Sequence, residues 1–143
     1  MKFSRAILLT LLVLCGCTGQ WTDDPGNWKR AFDGSPPPED VTIVHSFYRR
    51  TSFVPREQDW SFEVKVPGER RKLMFENLKL RRPGEGEAHV VELLKKKDVQ
   101  PSWFLPRPAT NYDTWISTEK SGVSVGAFED KESGNIFLVG VEL

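Results

Sequence analysis

Few residues in this chain carry the chemistry of a catalyst. It has two histidines, His45 and His89, far apart in sequence. His45 stands beside Ser46 in a run of β-branched and aromatic residues, while His89 lies between Ala88 and Val90 in a charged stretch. A histidine with a serine or carboxylate in reach is the least that general-base hydrolysis needs. That makes His45 the one candidate base, although a histidine packed or hydrogen-bonded on a sheet face is the plainer reading. Ser121-Gly122 and Ser133-Gly134 sit in ordinary turn contexts, so no nucleophile elbow is expected. Gly84-Glu-Gly86 is too short and too acidic to cradle a phosphate. Carboxylates cluster at Asp23/Asp24, Glu39/Asp40 and Glu129/Asp130/Glu132, but the last lacks the alternating oxygen ligands of a calcium loop and reads as a hairpin turn. No metal, no cofactor and no catalytic activity are therefore expected.

Two segments have the composition of binding surfaces. Basic residues gather between positions 69 and 97, where nine Lys/Arg face five Glu, in the runs Arg70-Arg71-Lys72, Arg81-Arg82 and Lys95-Lys96-Lys97. Such a face suits anionic headgroups or an acidic partner, unless neighbouring glutamates neutralise it. Residues 98–143 carry the opposite balance, three Lys/Arg against seven Asp/Glu. The second segment is aromatic: Trp103, Phe104, Tyr112 and Trp115 stand among Pro101, Pro106 and Pro108. Aromatic side chains on proline-stiffened loops form recognition surfaces when exposed and hold a loop to the core when buried. The candidate binding residues are therefore Trp103, Phe104, Tyr112 and Trp115, with Arg70, Arg71, Lys72, Lys95, Lys96 and Lys97. The stretch from Pro101 to Trp115 resembles small uncharacterised bacterial proteins, a resemblance that carries no activity.

The N-terminus is the most specific part of the sequence. Lys2 and Arg5 precede a nine-residue apolar run, Ala6 to Leu14, broken only by Thr10. A helix needs about 20 apolar residues to span a bilayer, whereas a secretory signal needs about 7–15. Leu14-Cys15-Gly16-Cys17 then resembles the lipobox of bacterial lipoproteins, with Cys15 where the family usually has Ala or Ser. The resemblance covers only the first 20 residues. It implies cleavage before Cys17 and acylation of Cys17, leaving no free thiol to bind zinc or attack a substrate. Cleavage after Gly16 or Gly19 as an ordinary secretory signal is the alternative. In Gram-negative members of the family, Asp after the cysteine signals inner-membrane retention. Thr18 stands there in this chain, which points to the periplasmic face of the outer membrane if the host is Gram-negative.

Several elements must position these groups. Residues 1–16 read as the signal, 17–40 as a lipid-anchored tether and Pro-rich lead-in, and 41–143 as one domain. Within the lead-in, 18–24 reads as free tether and 26–32 as a short docked helix after Asp24-Pro25, before the stiff run Pro36-Pro37-Pro38. Val41–Arg50 is dense in strand formers, and Trp60, Phe62, Val64 and Val66 alternate with polar residues, so the two predict a hairpin. Helical spacing follows Pro67 over residues 69–80 and recurs over 87–96, with 78–82 open to reading as a small edge strand. Three strands close the chain, at 114–118, 123–129 and 135–143, the last two joined by the turn Asp130–Gly134.

The expected fold is thus α+β, a small antiparallel sheet of about five strands with one or two helices on one face. The whole chain supports that scale. It has 143 residues, 38% of them hydrophobic and 28% charged, with five Trp and nine Phe. That is too aromatic for a disordered chain and too polar for a multi-span membrane protein. Twenty Lys+Arg against 20 Asp+Glu argue against nucleic acid as a partner. The expected role is a lipid-anchored envelope module that binds a protein or envelope component. A small envelope hydrolase using His45, or an immunity-type inhibitor of a secreted toxin, are the alternatives.

Overall fold

The apolar and aromatic residues from position 42 onward build five strands of a six-stranded antiparallel sheet, and residues 19–22 add the sixth. The computed structural model describes residues 18–51, 57–96, 99–118 and 123–142. Its strands are β1 (Gly19–Thr22), β2 (Thr42–Arg50), β3 (Gln58–Lys65), β4 (Tyr112–Thr118), β5 (Val123–Asp130) and β6 (Ile136–Glu142). The helices are α1 (Asn27–Ala31), α2 (Gly68–Asn77) and α3 (Ala88–Lys95). Strand order is β1-β2-β3-β6-β5-β4, with every pairing antiparallel. The chain is therefore a small α+β fold.

Two features depart from the sequence reading. The expected tether at 18–24 contains β1, which pairs with β2 from Gly19↔Arg50 to Thr22↔Phe47 and makes the sixth strand. Helices also lie on both faces instead of one. On the first face, Trp28 of α1 and Met74 of α2 pack over Tyr48, Trp60, Phe62, Val64 and Leu138. On the second, Leu94 of α3 and Phe104 of the Pro-rich loop pack over Ile116, Phe128, Phe137 and Val139. A sheet this apolar on alternate residues has two faces to remove from water, and burying each large side chain is worth about 1.5–3 kcal/mol. One layer of helix cannot do that.

Tryptophans lying flat on the sheet set two glycine positions. Gly140 sits opposite Trp60, and a Cβ there would fall 2.1 Å from the indole. Gly19 is covered in the same way by Trp21, two residues along its own strand. Around Trp60 the rings interlock: Phe32 centres 4.9 Å from Trp60 and 4.4 Å from Trp28, and Trp28 lies 5.1 Å from Phe62. The outer edge of β4 is met by one backbone bridge, Arg81 to Ile116. That single bridge is what the 78–82 segment contributes to the sheet.

Replacing Gly140 by Val drives methyl groups into the Trp60 indole and is expected to lower the unfolding free energy by about 1–3 kcal/mol. Gly68→Ala, where a Cβ meets open space, is expected to stay within about 0.5 kcal/mol of the parent. Urea denaturation of both variants checks this, and equal midpoints would mean that the indole does not lie over β6.

Candidate functional site

The sequence Asp23-Asp24-Pro25-Gly26 joins β1 to α1 through a turn that its own carboxylates hold. Asp23 takes a left-handed conformation, φ 50°, which Asp tolerates better than most residues. The Asp24 carboxylate accepts from the Gly26 N–H at 2.7 Å and from Arg30 Nη1 at 2.8 Å. Those two contacts, Arg30 first, hold its pKa below the usual carboxylate range. Asn27 is fully buried. Its Nδ2 donates to the Trp21 carbonyl at 3.1 Å and to Ser46 Oγ at 3.0 Å, and its Oδ1 accepts from Arg30 at 2.9 Å.

This turn is fastened to the start of β2, where the strand is irregular. Pairing with β3 slips between Ile43 and His45, so Val44 bulges out and is 36% exposed. Just past the bulge, the Asp23 carboxylate accepts the Ser46 N–H at 2.8 Å and faces His45 Nδ1 at 3.3 Å. The Trp103 ring stacks on His45, centroids 5.3 Å apart and planes 19° apart. Asp23 thus orients one imidazole nitrogen and leaves Nε2 on the other side of the ring.

Two clefts open beside this cluster. One, of about 420 Å³, is lined by Asp23, Asp24, Pro37, Val41, Val44 and Ser46, among others. The other, of about 280 Å³, runs from Val41 past Glu39 and Asp40 to Leu73, Met74 and Asn77. Val41 lines both, so the two clefts adjoin at its side chain; together they make up the groove, with aliphatic walls and carboxylates at the rim. Leu73 is 45% exposed, and it and Val44 are two of the three large hydrophobics on the described surface; the third, Leu93, lies on α3. His45 lines neither cleft.

The structure disperses the residues singled out from sequence. Phe104 and Tyr112 are buried, meeting Phe137 edge-on at 6.0 and 5.8 Å. They form core and not a recognition surface, because the second face of the sheet needs a cover. Burial also raises the Tyr112 pKa, and its hydroxyl accepts the Arg107 N–H at 3.0 Å. Trp115 packs on the first face, between Phe75 at 4.9 Å and the Arg82 guanidinium at 4.0 Å. Of the four aromatics, Trp103 alone adjoins the candidate site, and of the basic candidates Arg70 lines its smaller cleft.

The basic runs are matched with acids. Arg70 pairs with Asp40 at 2.6 Å, Arg71 with Glu129, and Lys72 with Glu76 at 3.9 Å. Lys95 and Lys96 both reach Glu92, at 3.7 and 3.4 Å. Exposed pairs of this kind add little stability, but they cancel the local positive field. Lys97 and Cys17 lie outside the described residues.

Catalytic geometry is partial. Ser46 alternates to the face opposite His45, and its hydroxyl is engaged by Asn27. Gly122-Val123-Ser124-Val125-Gly126 spells the Gly-x-Ser-x-Gly pattern that the sequence reading passed over. Ser124 nevertheless stands inside β5, opposite Thr118 and Val141, and not on a strand-to-helix turn. Among the described residues, no group of three His, Cys, Asp or Glu is placed to hold a metal ion, and no helix is long and apolar enough to cross a membrane. Comparison with protein-family models, with curated proteins and with solved structures gives no match.

A two-pronged surface clamp closes the turn ahead of α3. Arg81 holds Glu87 through two hydrogen bonds, 2.7 and 2.6 Å, and the Gly84 N–H adds a third at 2.7 Å. Arg81 chiefly, then Gly84, lowers the Glu87 pKa from 4.5 to about 2. A carboxyl with a depressed folded-state pKa contributes stability above its unfolded value and loses it as pH falls through the folded one. Glu87→Gln is therefore expected to lower the thermal midpoint at about pH 6, and the two proteins to converge as pH drops toward about 2. A gap that persists unchanged at the lowest pH would contradict the assignment.

Proposed function

We propose that this chain is a lipid-anchored, non-catalytic binding module of the bacterial cell envelope, and that it engages its partner through the groove between β2 and α2. The anchor rests on the signal-like N-terminus and on Leu14-Cys15-Gly16-Cys17, with Cys17 as the acylated residue. Two or three acyl chains, as in the lipoproteins this segment resembles, hold far more firmly than one, because each buried CH₂ contributes about 0.8 kcal/mol. Thr18 favours the periplasmic face of the outer membrane in a Gram-negative host.

The observation that carries the binding role is the exposure of Leu73 and Val44 in these two adjoining clefts, while Phe104 and Tyr112 are buried and Arg70, Arg71, Lys72, Lys95 and Lys96 are ion-paired. Apolar side chains gathered in a concave site with a polar rim are the usual surface for a partner. The rim of Asp23, Glu39 and Asp40 gives that surface direction. A second reading is supported by the Asp23–His45 contact, which is how a carboxylate orients a general base. It requires that a substrate bring its hydroxyl or water to Nε2.

Cys17→Ala is expected to abolish incorporation of labelled palmitate and to release the chain from membranes. A photo-crosslinking residue at Leu73 or Val44, in intact envelopes, is expected to give a discrete adduct that the same residue at Lys79 does not. Adducts spread evenly over all three positions would remove the groove from the proposal. The hydrolytic reading expects turnover of ester or amide substrates that His45→Ala eliminates.

A further inference from the structure

We infer that the chain stands on the bilayer with the β1 start and β2 end downward, holding the groove away from the lipid surface. This rests on the lipid anchor proposed above. Only Thr18 separates Cys17 from β1, whose first residue, Gly19, is already paired with Arg50 at the end of β2. Two residues of extended chain reach at most about 7 Å, so an acylated Cys17 leaves almost no slack. The same strand, β2, runs from that anchored end to the groove. From Arg50 to Val44 the rise is about 20 Å.

Charge does not oppose this placement. Among the described residues the anchored end carries Arg49 and Arg50 with Glu57, Asp59 and Glu142, and the groove end carries Asp23, Asp24, Glu39 and Asp40 with Arg30, Lys65 and Arg70. Neither end has a cationic excess to draw it to an anionic leaflet, so the short link sets the orientation. The bilayer partner is thus met by a strand-end surface, and the groove faces the aqueous compartment.

The test places one introduced cysteine at a time in the full chain, processed in a bacterial host and reconstituted in vesicles of phosphatidylethanolamine and phosphatidylglycerol. Fluorophores at Gln20 and Arg50 report the anchored end, and fluorophores at Glu39 and Leu73 the groove end. Headgroup-level nitroxide lipids are expected to quench the first pair at least about threefold more than the second, consistent with a field and contact layer about 10 Å deep. Inserting about twelve Gly/Ser residues between Thr18 and Gly19 gives a tether near 20 Å and is expected to erase the difference. Equal or inverted quenching in the parent, with palmitate still incorporated, overturns the orientation alone. Absence of palmitate and of membrane association overturns the anchor, and the orientation with it.

Discussion

Asn27 is fully buried, and its amide has three partners that belong to three different pieces of the chain. It donates to the Trp21 carbonyl of β1 and to the Ser46 hydroxyl of β2, and it accepts from Arg30 at the end of α1. An amide out of water costs stability unless it is paired, and the penalty for losing one partner is about 1–3 kcal/mol. That constraint fixes the β1–α1 turn in one place. Asp23 is then held over Ser46 and His45, Asp24 over Gly26 and Arg30, and the Trp28–Phe32 pair over Trp60. The groove, the histidine cluster and the first-face core all inherit their geometry from this corner.

The corner holds a sheet that is buried twice over. On the first face, indoles lie across glycine positions, which lets helix approach closely. On the second, Gly126 leaves room for Leu94, since a Cβ there would meet Leu94 at 3.1 Å. The Pro-rich segment 99–111 supplies the rest of that cover through Phe104, with Phe128 and Phe137 presented edge to face. Aromatic material that would suit recognition is thereby consumed in packing. The exposed apolar surface that remains at the groove is small and localised, because β2 bulges at Val44 and α2 turns Leu73 outward.

Much of the sheet could be read from period-two patterns. Thr42–Arg50, Gln58–Lys65, Val123–Asp130 and Ile136–Glu142 all fall within a residue or so of their expected spans, because each is dense in strand formers and bounded by turn residues. β1 was illegible for a physical reason. Four residues beginning with glycine, with Gln20 and Thr22 facing solvent, leave Trp21 as the one apolar signal, and what makes it a strand is the Asn27 tie and the edge of β2. The charge pattern misled in a similar way. Arg70 and Arg71 look unopposed in sequence, yet their partners Asp40 and Glu129 lie 30 and 58 residues away. Site residues were visible only in part: His45 by its type, Asp23 only as one of a pair of carboxylates, and Leu73 not as a site residue, since their roles depend on a left-handed turn and on the side of α2 that the core leaves uncovered.

The strand order has a kinetic meaning. β2–β3 and β5–β6 are local hairpins, but the sheet's middle is the pairing of β3 with β6, from Gln58↔Glu142 to Val64↔Ile136. Long-range pairing of this kind must overcome loop-closure entropy before it gains any contact energy, and it slows folding. The two hairpins share a seam that neither can form alone, and β6 supplies Ile136 and Leu138 to one face and Phe137 and Val139 to the other, so neither core is complete until that seam closes.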